Sequence, residues 1–106
     1  MTGAYQFVCA ETSTAALLKR LNSQGGWQWS LGDSHWYGDY VACSPFTGAR
    51  IRICDFPERV DGGHRYRADL RISKDCGTTM PVIDEAFRAV LAQAGARSIE
   101  EIEWFD

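Results

Sequence analysis

The stretch RYRADLRIS, residues 65–73, decides the fold class because apolar and charged residues alternate along almost its whole length. One phase of this alternation is apolar: Tyr66, Ala68, Leu70 and Ile72. The other phase is charged: Arg65, Arg67, Asp69 and Arg71. A period of two residues is that of a β-strand with one buried face. We therefore predict a strand that turns one side to a core and presents a row of arginines on the other.

The preceding stretch ARIRIC, residues 49–54, repeats this pattern. Ile51 and Ile53 take one side of a predicted strand, and the opposite side holds Arg50, Arg52 and Cys54. Pro57 is predicted to end this strand, since proline lacks the backbone donor that a sheet needs. Residues 58–64, ERVDGGH, are predicted to form a loop.

The stretch GGWQWSLGDSHWYGDY, residues 25–40, predicts a β-hairpin, because its rings alternate with polar residues on both sides of GDS. A turn centred on residues 33–34 gives three cross-strand pairs: Leu31–Trp36, Trp29–Gly38 and Trp27–Tyr40. Each large ring buries on the order of 150–250 Å². We therefore predict that these rings, with Ala42, lie on the core side. The alternative is an exposed stacking platform for bases or an apolar partner.

Two stretches have the start and stop signals of helices. Residues 11–26 begin with Thr12 or Ser13 as a cap, carry an apolar stripe of three leucines and reach a stop signal at Gly25. Residues 78–95 are the clearer helix: Thr78 or Thr79 caps it, Pro81 lies in its first turn, and Gly95 ends it. Asp84 and Glu85 are expected to complement its dipole. Its predicted buried stripe is Ile83, Ala86, Phe87, Val90, Leu91 and Ala94.

The two ends of the chain predict further strands. YQFVCA, residues 5–10, is apolar on both sides and indicates a central strand. SIEEIEWFD, residues 98–106, predicts a terminal strand with Ile102 and Trp104 inward, with a short helix as the alternative. The resulting order is β-α-β-β-β-β-α-β. We predict one α+β domain spanning residues 1–106, a two-layer sandwich of a mainly antiparallel sheet with both helices on one face.

The sheet side away from the helices is the main candidate for a binding surface. Its predicted partner-binding residues are Tyr37, Asp39, Arg50, Arg52, Arg65, Arg67 and Arg71. Arginine forms forked contacts with carboxylates and phosphates and is favoured at protein interfaces. The alternative is that Glu101 and Glu103 of the last strand point outward and neutralise these charges as an exposed ladder of ion pairs.

Composition limits the classes of function. The net charge of −3 gives the whole chain no long-range attraction to nucleic acid or to an anionic membrane. Residues 50–74 nevertheless hold seven Lys or Arg against four acids, and residues 75–106 hold two against seven. No apolar run reaches the ~18 residues of a membrane span, and residues 1–12 lack a secretory pattern. We therefore expect a cytoplasmic protein with four reduced cysteines.

Motifs for catalysis, metals and cofactors are weak. Neighbours in sequence such as those of Asp33-Ser34-His35 do not converge on one reacting atom, and turn chemistry explains them. Cys76, just before the second helix, is a candidate thiol nucleophile with His35 or His64 as its base. A metal set drawn from three cysteines and His64 lacks a predicted meeting point, and residues 61–64, DGGH, lack a phosphate-loop motif. We predict no cofactor, no metal and no catalytic set.

The sequence thus favours a non-enzymatic protein-binding module whose arginine side contacts an acidic protein. Small proteins of this design include inhibitors such as immunity proteins and phage-encoded blockers of defence systems, an analogy at the level of class. One alternative is nucleic-acid binding through the same arginines, assisted by Tyr37. Another is a thiol-dependent enzyme at Cys76. The sequence does not specify an oligomeric state.

Overall fold

The computed structural model describes residues 2–10, 13–23, 26–34, 38–60 and 63–102, with the backbone alone at residues 2, 33–34, 38 and 55–60. Within these residues the elements are β1 (Thr2–Cys9), α1 (Thr14–Asn22), β2 (Ser30–Ser34), β3 (Gly38–Cys43), β4 (Ala49–Val60), β5 (Gly63–Ile72), α2 (Met80–Gln93) and β6 (Arg97–Glu101). The strands form one antiparallel sheet in the order β2-β3-β4-β5-β1-β6. The predicted α+β class and element order are confirmed.

The strands β4 and β5 form the centre of the sheet and follow the predicted alternation. Ile51 lies opposite Leu70, and Ile53 lies opposite Ala68. All four of these side chains are fully buried. Because successive residues of a strand point to opposite faces, the arginines between them lie on the other side of the sheet.

One cluster of buried side chains joins this sheet face to both helices. Leu17 and Leu21 of α1 and Phe87 and Leu91 of α2 belong to the same cluster as Ile53. This shared cluster agrees with the prediction that both helices pack on one face of the sheet. None of the described helices is long and apolar enough to cross a membrane.

The strand β4 continues through Pro57, so the predicted loop at residues 58–64 is wrong. Asp55 pairs with Tyr66 and Arg59 pairs with His64, so three residues of β4, 56–58, stand opposite the single residue Arg65. Proline is tolerated at such a bulge because the ladder hydrogen bonds are already interrupted there. The hairpin then closes with Val60 opposite Gly63, and β4 and β5 pair well beyond the predicted strand ends.

The tryptophan-rich stretch differs from its predicted hairpin. Trp27 and Trp29 precede β2, which begins at Ser30. Asn22 at the end of α1 donates from Nδ2 to Trp29 O (3.1 Å) and accepts at Oδ1 from Trp29 N (2.8 Å). These two bonds satisfy the backbone of Trp29 without a partner strand. Trp29 is 5% exposed and Trp27 is half-buried against it, so their predicted place in the core is confirmed, whereas Trp36 and Trp104 lie outside the described residues.

The register of this hairpin is also different. Leu31 pairs with Val41 and Gly32 pairs with Tyr40, five positions away from the predicted pairing. Because side chains alternate between the two sides of a strand, a shift by an odd number of residues moves each side chain of β3 to the side opposite the predicted one. Val41 therefore faces the core opposite Ile53. The predicted core-side residues of β3, Gly38, Tyr40 and Ala42, take the opposite phase.

The helix ends follow the sequence signals closely. Ser13 caps α1 by accepting a hydrogen bond at Oγ from Ala16 N (3.1 Å). Thr79 precedes α2, Pro81 lies in its first turn, and Gly95 follows its last turn with φ of 87°. That positive φ is the usual conformation of a glycine that ends a helix. The predicted stop of α1 at Gly25 lies outside the described residues, since α1 ends at Asn22.

The last strand, β6, is confirmed as a strand, but its acidic residues lie differently from the prediction. Asp84, Arg88 and Glu101 form one network on the helical side: Arg88 donates to Asp84 (3.1 Å) and to Glu101 (3.3 Å). Tyr5 donates from its hydroxyl to Asp84 Oδ1 (2.6 Å), and both burial and this contact raise the pKa of Tyr5. Asp84 thus joins α2 to β1, and no acidic residue lies in the first turn of α2 to complement its dipole.

Candidate binding face

The side of the sheet away from the helices, which we call the arginine face, is organised in rungs across neighbouring strands. The first rung holds Arg50 and Arg71, which lie directly opposite each other. The second rung pairs Arg52 with Asp69. The third rung runs across five strands and the fourth across three: Tyr40–Cys54–Arg67–Gln6–Glu100 and Arg65–Val8–Arg97.

Asp69 is the anchor of the second rung. Its carboxylate accepts a forked pair of hydrogen bonds from Arg52, at 3.1 and 3.0 Å, and a third from Arg71 Nε at 3.1 Å. The residue is 8% exposed, so this charge is held largely out of water. A buried carboxylate needs such partners, since an unpaired one would cost several kcal/mol. Arg52 and Asp69 therefore form a structural ion pair rather than a free contact surface.

The described strand side chains of the arginine face have a strong positive balance. Six arginines lie on it against two carboxylates, Asp69 and Glu100, and Glu100 already accepts from Gln6 Nε2 (3.0 Å). The formal excess on these described side chains is four positive charges, in a chain whose net charge is −3. The described part of this sheet face is therefore basic although the whole chain is acidic.

Five of the seven predicted partner-binding residues lie together on this face: Arg50, Arg52, Arg65, Arg67 and Arg71. Asp39 does not, and its predicted place is wrong. It shares the phase of Val41, on the opposite side of β3, and pairs with Asp33. Tyr37 lies outside the described residues.

The sequence reasoning missed several residues of the arginine face, among them Arg97, Gln6 and Tyr40. Arg97 reaches it because β6 pairs with β1, with Val8 opposite both Arg97 and Arg65. The position of Arg97 on the arginine face follows from the order of the strands in the sheet and not from any local sequence pattern. For Tyr40 a signal was available, since residues 40–43, YVAC, are apolar in both phases, so alternation alone cannot choose the buried one.

The predicted neutralising ladder of acidic residues is not formed as expected. Glu101 lies opposite Tyr5 and accepts from Arg88, on the helical side. Glu100 takes the outward phase instead, and β6 is separated from β5 by β1. Glu103 lies outside the described residues. The acidic strand therefore contributes one described carboxylate to the arginine face, at its margin.

A bulge in β6 shapes the far end of this face. Gln6 pairs with Glu100 and Val8 pairs with Arg97, so β6 carries one extra residue between these pairs. Ser98 lies in this bulge with φ of 54°, a left-handed conformation that is uncommon for a residue with a side chain. A polar cavity of about 290 Å³ lies beside it between Arg65 and Arg97. Bulges of this kind redirect side chains at binding surfaces.

The positions of the described residues do not support the two alternative hypotheses, a thiol-dependent enzyme at Cys76 and a metal site. Cys76 follows the end of β5, whereas His64 lies at its start, next to Tyr66 and opposite Cys9. Ile72, the last residue of β5, lies eight residue steps from His64, roughly 26 Å along the strand at ~3.3 Å per residue, and Cys76 follows Ile72 in the chain. His35 lies outside the described residues. Among the described residues no group of His, Cys, Asp and Glu is placed to hold a metal ion.

All four cysteines are free thiols. Cys43 is 6% exposed, and burial raises the pKa of its thiol to about 12. A thiol of this kind stays protonated at neutral pH and is a poor nucleophile. Cys43 therefore acts as a small apolar residue of the core.

Comparison with known proteins adds no assignment to this geometry. The chain matches no model of a known protein family, and no curated protein is found to be similar to it.

Proposed function

We propose that this protein is a non-enzymatic binding module that docks its arginine face onto an acidic protein surface. The observation that carries the proposal is the excess of four positive charges among the described strand side chains of one sheet face, in a chain whose net charge is −3. An inhibitor, in the manner of immunity proteins or phage-encoded blockers of defence systems, is the role we infer. The proposal places it in the cytoplasm, where its four free thiols stay reduced.

Rigidity and charge together support a protein partner. The arginines stand on the central strands β4 and β5, whose opposite side is packed into the core. Side chains on such a scaffold lose less freedom on binding than side chains on loops. Complementary charge raises the association rate and selects the partner. Arginine also supplies the forked contacts that fit aspartate and glutamate side chains.

Two features favour an acidic protein over nucleic acid. The net charge of −3 on the whole chain opposes a polyanion at long range. Binding to single strands also uses rows of aromatic side chains, whereas Tyr40 is the one aromatic residue among the described strand side chains of the face.

The proposal is tested by charge reversal at two arginines of the face that lie outside its second rung. Arg67→Glu combined with Arg97→Glu changes two rungs and leaves the Arg52–Asp69 pair intact. Affinity capture from the native host, followed by calorimetric titration of the purified partner, should show an affinity at least about tenfold lower for this variant. Added salt should weaken the wild-type complex.

The matched control reverses two exposed lysines outside the strands, Lys19→Glu and Lys74→Glu, with the same change in net charge. This control should capture the wild-type partner with equal affinity. Equal capture by the Arg67→Glu/Arg97→Glu variant would refute the face as the binding site. Captured material that is lost on nuclease treatment would refute the protein partner in favour of nucleic acid.

A further inference from the structure

The described sheet ends in two outer strands, β2 and β6, and they differ in their protection against pairing with another chain. Natural sheets protect such edges with bulges and charged side chains. The strand β6 has both, since it is bulged at Ser98, with φ of 54°, and exposes Arg97 and Glu100. By contrast, β2 pairs with β3 at all five of its positions without a bulge and carries a single charged residue, Asp33. The edge at β2 is therefore the less protected of the two.

The outer side of β2 offers backbone groups and one apolar side chain. Residues 30–32 form backbone hydrogen bonds with β3 and with no other residue that the structure describes. In an outer strand every second residue turns its N–H and C=O away from the sheet, where water or another extended strand must satisfy them. Leu31 shares the helical side with Val41, yet it is 51% exposed. These features fit a further β-strand with an apolar residue opposite Leu31.

The edge of β2 is complementary to itself. In an antiparallel pairing about a two-fold axis at Leu31, the two Leu31 side chains lie opposite each other, and Ser30 of each copy lies opposite Gly32 of the other. The two Asp33 positions are then four residues apart along the strands, about 13 Å at ~3.3 Å per residue, which exceeds the Debye length of ≈ 8 Å. An axis at Gly32 would instead bring these carboxylates within two residues of each other and place Leu31 opposite Asp33. Burial and charge thus both favour the axis at Leu31.

We propose that two copies of this protein pair through their β2 strands, with Leu31 on the two-fold axis, and join their sheets into one. Residues that pair across two strands share a face, so both arginine faces lie on the same side of the joined sheet. So short a ladder is expected to bury less than the ~1,200 Å² of a stable interface, and we expect a dissociation constant on the order of 100 μM. The inference does not rest on the proposed acidic partner, because it concerns the purified chain alone.

The first test is sedimentation equilibrium of the purified full chain between about 10 and 500 μM, where the wild type should pass from monomer to dimer. Leu31→Lys places two like charges opposite each other on the axis and should weaken the dimer at least about tenfold. The matched control is Val82→Lys in α2, since Val82 is a large apolar side chain of similar exposure, 53%, and the substitution adds the same charge. This control should change the dissociation constant less than about twofold.

The second test reads the backbone rather than the side chain. Pairing through β2 should slow the hydrogen exchange of its outward amides, because they are bonded in the dimer only. At about 1 mM these amides should exchange roughly threefold more slowly than at about 20 μM, as mass action with a dissociation constant on the order of 100 μM requires. The amides of β6, at the opposite edge, should exchange at the same rate at both concentrations. The Leu31→Lys variant should lose most of the effect in β2.

Three results would overturn the pairing: a wild type that stays monomeric up to about 500 μM, equal dissociation constants for Leu31→Lys and Val82→Lys, or a dimer whose β2 amides are not slowed. A monomeric wild type whose captured partner is lost by Leu31→Lys and kept by Val82→Lys would assign the edge to a strand of another protein and likewise overturn self-pairing. The capture experiment on the arginine face changes Arg67 and Arg97, neither of which lies on β2. Failure of one proposal therefore leaves the other standing.

Discussion

The β4–β5 ladder and the β2–β3 hairpin belong to one sheet but are held together in different ways. The ladder pairs two long strands and buries Ile51, Ile53 and Leu70 completely on one side. The hairpin pairs two short strands at the sheet edge, and Leu31 in its outer strand is 51% exposed. Burial of apolar area is the dominant favourable term in folding. Stability is therefore concentrated in the ladder, whereas the position of the hairpin depends on a few specific contacts.

This difference has a consequence for the arginine face. All of its central rungs stand on the ladder, whose other side is anchored in the core. Of the hairpin residues, Tyr40 and Ala42 extend the rungs, beside Cys54 and Arg52. A substitution that loosens the hairpin should accordingly leave the binding face in place, and one that loosens the ladder should not.

The largest expected effect is that of shortening a buried ladder residue. Ile53→Ala removes methyl groups from a side chain with no exposure and leaves a cavity, so the free energy of unfolding should fall by about 2–5 kcal/mol. The same type of truncation in the hairpin, Leu31→Ala, should change it by less than about 1 kcal/mol because Leu31 is half exposed. Urea denaturation measures both. Similar losses in the two variants would contradict the concentration of stability in the ladder.

A loss of stability of intermediate size is expected when the two hydrogen bonds that hold Trp29 in the core are removed. Asn22→Ala removes both hydrogen bonds to the backbone of Trp29 and should lower the free energy of unfolding by about 1–3 kcal/mol. Release of the indole should also shift the native tryptophan fluorescence to longer wavelength. The control is the neighbouring Ser23→Ala, which removes one exposed hydrogen bond and should cost no more than about 0.5 kcal/mol. An unchanged emission spectrum in Asn22→Ala would show that other contacts hold the ring.

These two regions also explain which parts of the fold could be predicted from the sequence. Residues 65–72 are apolar in one phase only, so both the strand and its buried side follow from alternation. Residues 40–43 are apolar in both phases, and the choice between them depends on Val41 meeting Ile53 across the sheet. Trp27 and Trp29 alternate with polar residues as in a strand, but the side chain of Asn22 at the end of α1 bonds both the backbone N–H and the backbone C=O of Trp29. Contacts of this kind between distant parts of the chain cannot be predicted from the periodicity of the sequence.

The same reasoning applies to the candidate site. The arginines of β4 and β5 were predictable, since their phase is fixed by buried neighbours in the same strand. Arg97 was not, because its place depends on the order of the strands and on the bulge at Ser98. Asp39 was predicted on the wrong side of the sheet because the predicted register assigned both sides of β3 incorrectly. Errors in the site thus followed from errors in register and order rather than from the choice of residue types.

The smallest expected effect tests the register of the hairpin directly. A Cβ added at Gly32 would lie 2.4 Å from Tyr40 Cζ, so Gly32→Ala forces the tyrosine ring to move. The displacement should cost about 1 kcal/mol, of the order of an off-rotamer side chain. In a Tyr40→Ala background the clash is gone, and Gly32→Ala should be neutral or stabilising, because glycine weakens a strand.

A double-mutant cycle of these two substitutions, measured by urea denaturation, should therefore give a coupling free energy of about 1–2 kcal/mol. The pairing predicted from alternation placed Gly32 at the turn and Tyr40 opposite Trp27, an arrangement in which the two substitutions would be additive. Additive losses would thus restore that pairing and return Tyr40 to the core side. A measured coupling would fix Tyr40 over Gly32 and on the arginine face, because side chains that pair across two strands share a face.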